Sequence, residues 1–442
     1  GFITPSGIAT DDSTKLYFAH IATKGRLVSF YDFENREALF PGVHRSFKFA
    51  LQTLGPAPLA DFAFFLGNTG QLADSRRHFT LRADEFALIN PNTRTCPVFR
   101  AIRDAEITKK IYAKAPVLIR EEECSPDGKI TRAEENPWGI SFKQGLFNMT
   151  SNSDLFMVEP SSGTLPLYEA KMIHQFDHRW ATYAPGSPLP AASRSSDGDD
   201  DAAGVRNARE DEKANPDFAV RPRYWVDSRE VIARVTRLPQ SLVKPWLAVD
   251  AASLRAALDA FSHTPAAADH PRLSTLPQAA SDADLLAAFE TLAREESPGW
   301  LMGWRDITNA TNERTVIASV MPLAGVGHTM PLLLSTQSPA LQTLLFANLL
   351  SMTTDYIARL KVGGTHLTYS YLKQFPVLSP QSYSSSDILF IVPRVLELTY
   401  CSYDMAPWAQ DIWASSDGSL RAALLVASDG ARGIRESWIP PA

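Results

Sequence analysis

GFITPSGIATDDSTKLYFAHIATKGRLVSFYDFENREALFPGVHRSFKFALQTL, residues 1–54, is the stretch whose reading decides the fold. Phe2 and Ile3 form an apolar strand end with no earlier strand in the sequence to pair with. Pro5, Ser6 and Gly7 make a turn, and Asp11, Asp12 and Ser13 supply helix-capping chemistry. Leu16, Phe18, Ala19 and Ile21 predict the apolar side of a short helix, which Lys24 and Gly25 close. Residues 27–33 (LVSFYDF) and 46–54 (SFKFALQTL) then read as strands of period two. The irregular connection between them, residues 34–45, carries Leu39, Phe40 and Pro41. Strand, helix and two strands make the closing half of an α/β sheet. The opening half is expected upstream, so the stretch reads as the stump of a larger domain.

Composition sets outer bounds. A chain of 442 residues exceeds what a single core organises, and two or three domains are expected. With 45% hydrophobic and 21% charged residues, it has the make-up of an ordinary globular protein. The net charge of −6 argues against a uniformly basic nucleic-acid binder but leaves room for a local basic face. Cys96, Cys124 and Cys401 are far apart and lack metal-ligand or disulfide spacing, so a reducing cytoplasm is expected and no metal is assigned. No apolar run is long enough for a membrane helix.

Further along, residues 59–65 (LADFAFF) predict one more strand, and residues 81–120 a connector with a helix over 104–114. Asp127 and Gly128 signal a hairpin, and residues 138–156 alternate loosely like strands. Residues 186–222 are small, polar and acidic, and predict a mobile excursion; an Ala- and Pro-rich second one is expected over 263–281. Helices are predicted over 281–296, 341–360 and 393–399, the last with Pro393 at its first position, and strands over 300–321.

Residues 1–54 resemble the last third of the catalytic domain of an adenine-N6 DNA methyltransferase of the type IIG restriction–modification and anti-phage defence kind. In that family a strand ending in Pro leads to a helix, a further strand, a Phe-Pro loop and a final hairpin strand. Residues 39–46 (LFPGVHRS) match the loop whose aromatic residue packs against the flipped target adenine, so the resemblance implies Phe40 as the base-stacking residue. A base drawn out of the duplex loses its stacking and needs such a replacement. The plain alternative is that Phe40 caps the sheet core.

The resemblance continues to about residue 415. Residues 90–112, and 165–179 (LPLYEAKMIHQFDHR), are similar to the connector and the target-recognition region of the same family, and the second implies Lys171, His174 and Arg179 as DNA-facing. Recognition needs cations on phosphates and Arg, Asn or Gln at base edges. Residues 221–245 offer Arg221, Arg223 and four more cations, a local surplus of four positive charges. Arg305, Asn309, Asn312, Arg314 and Thr315 form a second polar cluster. Residues 361–373 (KVGGTHLTYSYLK), with Lys361, Thr365, His366, Tyr369 and Lys373, resemble the ending of recognition domains in type I specificity subunits and type IIG enzymes. A solvated basic face is the alternative for each cluster.

The expected organisation is therefore the end of a methyltransferase-type α/β sheet (1–80), a connector (81–135), a mixed α/β target-recognition region with long helices (136–415) and a C-terminal tail (416–442). A methyltransferase also needs a Gly-rich loop for S-adenosylmethionine and an Asn/Asp-Pro-Pro-aromatic tetrad. Residues 65–70 are a weak match to the first, and residues 136–139 (NPWG), which lack the second Pro, read as a turn. The expectation is no cofactor and no catalytic residue in this chain, with S-adenosylmethionine and methyl transfer belonging to a missing N-terminal half. Double-stranded DNA, that half and other restriction or defence subunits are the expected partners, and no membrane. Two other readings stay open: a stand-alone DNA-binding specificity module, or a metal-dependent nuclease built on Asp154, Glu169 and Lys171, a loose pattern that chance produces often.

Overall fold

Five strands near the start of the chain form a single sheet in the order β1-β3-β2-β4-β5: β1 (Phe2–Pro5), β2 (Leu27–Glu34), β3 (Lys48–Leu54), β4 (Ala60–Leu66) and β5 (Phe79–Leu81). The computed structural model describes residues 1–125, 127–184, 204–279, 281–362 and 365–428. It is mixed α/β, with several small sheets and many helices. The chain divides into two compact units, one of Gly1–Ile140, Ile307–Val316 and Ser335–Val392, the other of Ser141–Asp306, Ile317–Leu334 and Pro393–Ala442. The stretch read as a connector, 81–135, lies within the first unit.

In the first unit β3 is antiparallel to both β1 and β2, so β1 and β2 run the same way and are joined by a crossover through helix α1 (Lys15–Thr23). β4 pairs parallel with β2 on its other side. The central position of β2 explains why it has no exposed residue, even Ser29 and Asp32 being buried, since a strand covered on both faces has no solvent side. One face carries an aromatic core. Phe18 of α1 meets Phe30 edge-on at 6.3 Å and Phe86 of helix α2 (Ala83–Ile89) at 5.9 Å, and Phe62 stacks on Phe79 at 5.4 Å. Phe33, Phe49, Ala63 and Leu66 form a separate small core cluster. Gly25 has φ +60, the left-handed helix end its position predicts. Leu16, expected on the apolar side of α1, is 81% exposed. It sits two residues from Phe18, about 200° round the helix, so burying Phe18 turns Leu16 outward.

Helix α3 (Ile102–Lys114) and a hairpin of Glu123–Cys124 with Ile130–Arg132 follow as expected around Asp127 and Gly128. Residues 136–139 form a turn: the Asn136 side chain accepts the Ile140 N–H at 2.8 Å and donates to its carbonyl at 2.9 Å. Gly139 has φ +56, and a Cβ there would overlap Thr336 Oγ1 at 1.9 Å. The expected helix over 341–360 is two helices, Pro339–Leu349 and Met352–Lys361, because Ser351 interrupts it and caps the second by accepting the Thr354 N–H at 3.1 Å.

The second unit combines small sheets with a helical layer. Thr164–Tyr168 pairs antiparallel with Trp225–Asp227 and parallel with Gly325–Val326, and Trp300–Trp304 pairs antiparallel with Ala318–Pro322. The helices Ser228–Val235, Gln240–Leu247, Ala251–Ser262 and Asp282–Glu295 enclose Trp246, Leu254, Leu258, Leu285 and Phe289. The excursion expected over 263–281 is two 3-10 segments, Pro265–Asp269 and Pro271–Gln278, and Leu273 and Leu276 drop into that core. Two leucines anchor a stretch whose Ala and Pro content alone reads as loose. Of the other excursion, 185–203 lies outside the described residues; Val205–Asn207 is a strand and Glu210–Ala214 a helix. The helix expected over 393–399 begins eight residues earlier and runs Ser385–Thr399, with Pro393 inside it. Of the predicted tail, Gly418–Ser428 is a helix and 429–442 lies outside the described residues.

Candidate nucleic-acid interface

Phe40 stands at the end of the sheet where β1, β2 and β4 finish, in the connection between β2 and β3. Buried Asn35 builds this loop. Its side chain accepts the Phe40 N–H at 2.9 Å and donates to the Phe40 and Val43 carbonyls at 2.9 and 2.8 Å. These bonds replace the ladder bonds the chain loses on leaving β2, and Ala38 turns the corner with φ +55. The Phe40 ring meets Phe49 edge-on at 4.9 Å, and Phe49 stacks on Phe33 at 5.4 Å. Phe40 is 39% exposed, with exposed Leu39, Val43 and Phe47 near it in sequence. The ring thus rests on the small core cluster through Phe49 and keeps part of its surface in solvent. Asn35 gave no signal in the sequence, because a single Asn at a strand end is common.

Thr365, His366 and Tyr369 are exposed on the first unit. The Thr365 carbonyl accepts the Thr308 N–H at 3.0 Å, and His366 bridges to exposed Ile307. Lys373 lies 5.9 Å from the Tyr369 ring and pairs with Glu121 at 2.7 Å. Arg314 is half-buried. Two expectations here need correction. Thr315 is fully buried, its N–H donating to Asp355 at 2.8 Å and its hydroxyl to the Asn309 carbonyl at 3.2 Å. The Lys361 ammonium is turned inward to the Ile89 carbonyl at 3.2 Å and to the Asn90 side chain, and burial pushes its pKa down to about 7. Both are bonded within the protein.

In the second unit the basic residues gather around Tyr183. Lys171 lies 5.4 Å and Arg223 5.3 Å from the centre of its ring, and its hydroxyl donates to Glu169 at 2.7 Å. Burial, with the Glu169 carboxylate beside it, raises the phenol pKa. Arg221 covers Trp225 at 5.1 Å and pairs with Glu159 at 3.2 Å, while the His174 ring lies tilted against Trp180 at 4.3 Å. Lys171, Arg221, Arg223 and His174 are all partly exposed, and the first three set cations over aromatic faces.

Arg179 and Arg305 are corrected. Arg179 is 2% exposed and donates to the carbonyls of Lys213, Asn215, Phe218 and Cys401. Arg305 donates to the Ile173 carbonyl at 2.9 Å, and burial lowers its pKa to about 10. Each guanidinium gathers loop carbonyls that the fold leaves without partners, so its role is internal. Part of the basic stretch is likewise used in packing, with Arg229 over Trp246 at 4.8 Å and Arg234 over Phe147 at 4.4 Å.

For the nuclease pattern, Glu169 is held by Tyr183 and lies 3.5 Å from Lys171, while Asp154 is exposed in a short 3-10 turn. Among the described residues no group of three or more His, Cys, Asp or Glu side chains could hold a metal ion. Residues 65–70 are the weak match to a methyl-donor loop. Asn68 closes them on themselves, accepting the Gln71 N–H at 3.2 Å and donating to Glu37 at 3.0 Å. No helix among the described residues is long and apolar enough to cross a membrane.

No protein-family profile and no curated protein matches the chain. Among solved structures, the chain is similar to the one described as "Characterization and crystal structure of the type IIG restriction endonuclease BpuSI". The match has 10% sequence identity and a TM-score of 0.29, and covers 99% of this chain and 47% of that one. It is a loose likeness to a restriction–modification enzyme, and the chain spans about half the length of the structure it matches.

Proposed function

We propose that this chain recognises duplex DNA as part of an adenine-N6 methyltransferase of a restriction–modification system, and that Phe40 stacks on the base taken out of the helix. The observation that carries this reading is the Phe40 loop. Its ring is half-exposed, fixed by Asn35 at the end of the parallel strands, and reached in the order strand, helix, strand, loop, hairpin strand. Ligands of sheets with parallel strands sit outside the carboxyl ends of those strands, and an extruded base needs a flat apolar partner.

The chain's own residues bind and orient. Lys171, Arg221 and Arg223 in the second unit, and Thr365, His366, Tyr369 and Lys373 in the first, supply phosphate and base-edge contacts. Methyl transfer, S-adenosylmethionine and other defence subunits belong to the longer protein. Selection from a random duplex pool with the 442-residue chain tests the reading. Enrichment of one sequence is the expected result, with affinity for it retained in Phe40→Ala but loss of the fluorescence rise that a 2-aminopurine at the target adenine shows on flipping. Absence of any enriched sequence would overturn the proposal.

A further inference from the structure

Beside the Phe40 loop, at the same end of the sheet, Phe65 closes β4 with φ +58. The left-handed region is costly for a bulky side chain, and such strain clusters at binding sites. The β2–β4 register shifts between Tyr31 and Phe33, a bulge that re-aims the strand end where Phe65 sits. Asp32, buried at the end of β2, holds the conformation. Its carboxylate accepts the Phe65 N–H at 3.4 Å and the hydroxyl of Ser6, which follows β1. Burial raises the Asp32 pKa.

Two cations converge on the Phe65 ring. The Arg100 guanidinium lies 4.1 Å from its centre and the Lys48 ammonium 5.8 Å. Both side chains are exposed, and neither has an ion-pair partner among the described residues. Glu34, opposite Lys48 in the ladder, pairs instead with Arg36 at 2.9 Å. Lys48 adjoins Phe49, the residue that supports Phe40. A guanidinium lying on an aromatic ring keeps its edge N–H groups for a planar anion.

We propose that Lys48 and Arg100, set on Phe65, form a clamp for a nucleic-acid phosphodiester next to the base that Phe40 stacks on. This rests on the reading of Phe40 given above. Each phosphate neutralised by a cation adds about 0.9 to the slope of log affinity against log salt on duplex DNA and about 0.7 on single strands.

The test measures that slope for the 442-residue chain, its Lys48→Gln/Arg100→Gln double variant and Phe65→Gly, on a duplex and on a short oligo(dT). The double variant is expected to lower the duplex slope by about 0.9, one phosphate contact, while the Arg76→Gln control leaves it unchanged. Phe65→Gly relieves the backbone strain, so its thermal stability holds or rises while its salt slope falls. A merely structural Phe65 would show the opposite. An unchanged slope in the double variant overturns the clamp and leaves the proposed function standing. Binding of oligo(dT) that the double variant loses, without any duplex selectivity, keeps the clamp and overturns that function. No binding to either probe overturns both.

Discussion

Asn35 and Phe40 are bonded reciprocally: the Phe40 N–H donates to Asn35 Oδ1 at 2.9 Å, and Asn35 Nδ2 donates back to the Phe40 carbonyl at 2.9 Å. A buried amide thus replaces a stretch of β-ladder, and the exposed ring is held by a residue that touches no solvent. Asn35→Ala leaves two carbonyls and an N–H without their partner, a loss of about 1–3 kcal/mol of stability. Urea unfolding reads this loss. The variant is expected to bind duplex with near-normal affinity but to give the weak 2-aminopurine signal of Phe40→Ala. A full signal would show that the loop is ordered by something other than Asn35.

Arg179 links distant segments of the second unit through carbonyls of Lys213, Asn215, Phe218 and Cys401. Arg179→Gln is expected to destabilise the protein by at least about 3 kcal/mol, since hydrogen bonds to a charged group are worth roughly 1.5–3 kcal/mol each. The unfolding midpoint in urea decides the matter. Unaltered stability with weakened DNA binding would return Arg179 to the set of DNA contacts.

His178 is buried beside Asp404, with Nε2 3.3 Å from Asp404 Oδ1 and 3.1 Å from Ser402 Oγ. Burial by itself pushes the imidazolium pKa down, but the Asp404 carboxylate and the Cys401 thiol outweigh it and hold the value up to about 9. Between the unfolded value, about 6.5, and about 9 the native state holds the extra proton. The stabilisation is therefore complete below pH about 6.5 and disappears as pH rises through about 9. Stability measured from pH 6 to 10 should fall across that window, and Asp404→Asn should flatten the fall. A level wild-type profile would mean that His178 is neutral in the fold.

Lys361 has the opposite sign. Burial lowers its pKa to about 7, so between about 7 and the unfolded value, about 10.4, the unfolded chain binds the extra proton and stability rises with pH. Lys361→Met removes the buried ammonium. It is expected to unfold at higher denaturant than the wild type at pH 6, with the difference shrinking by pH 10. A variant weaker at both pH values would assign the bonds to Asn90 and Ile89 more weight than the cost of burying the charge.

Local elements whose pattern is carried by neighbours in the chain are legible without the fold. β2 and β3 follow from alternation of period two, the end of α1 from Gly25, the hairpin from Asp127 and Gly128, and the helix Asp282–Glu295 from its Ser281 start. The place of Phe40 in a loop between two strands was legible in the same way. Which polar groups look outward is set by long-range packing. Arg179, Arg305 and Lys361 carry the same charge as Arg223 and Lys171, and nothing in the spacing separates them. The fold separates them by where it leaves carbonyls without partners, because a buried oxygen without a donor is costly and draws in the nearest cation. Those oxygens come from segments far apart in the chain, as with Arg179 and the Cys401 carbonyl, and such distances cannot be read from one residue's neighbours. Leucines at 273 and 276 teach the same lesson for apolar groups: a stretch that looks loose becomes ordered when a distant core has room for two side chains.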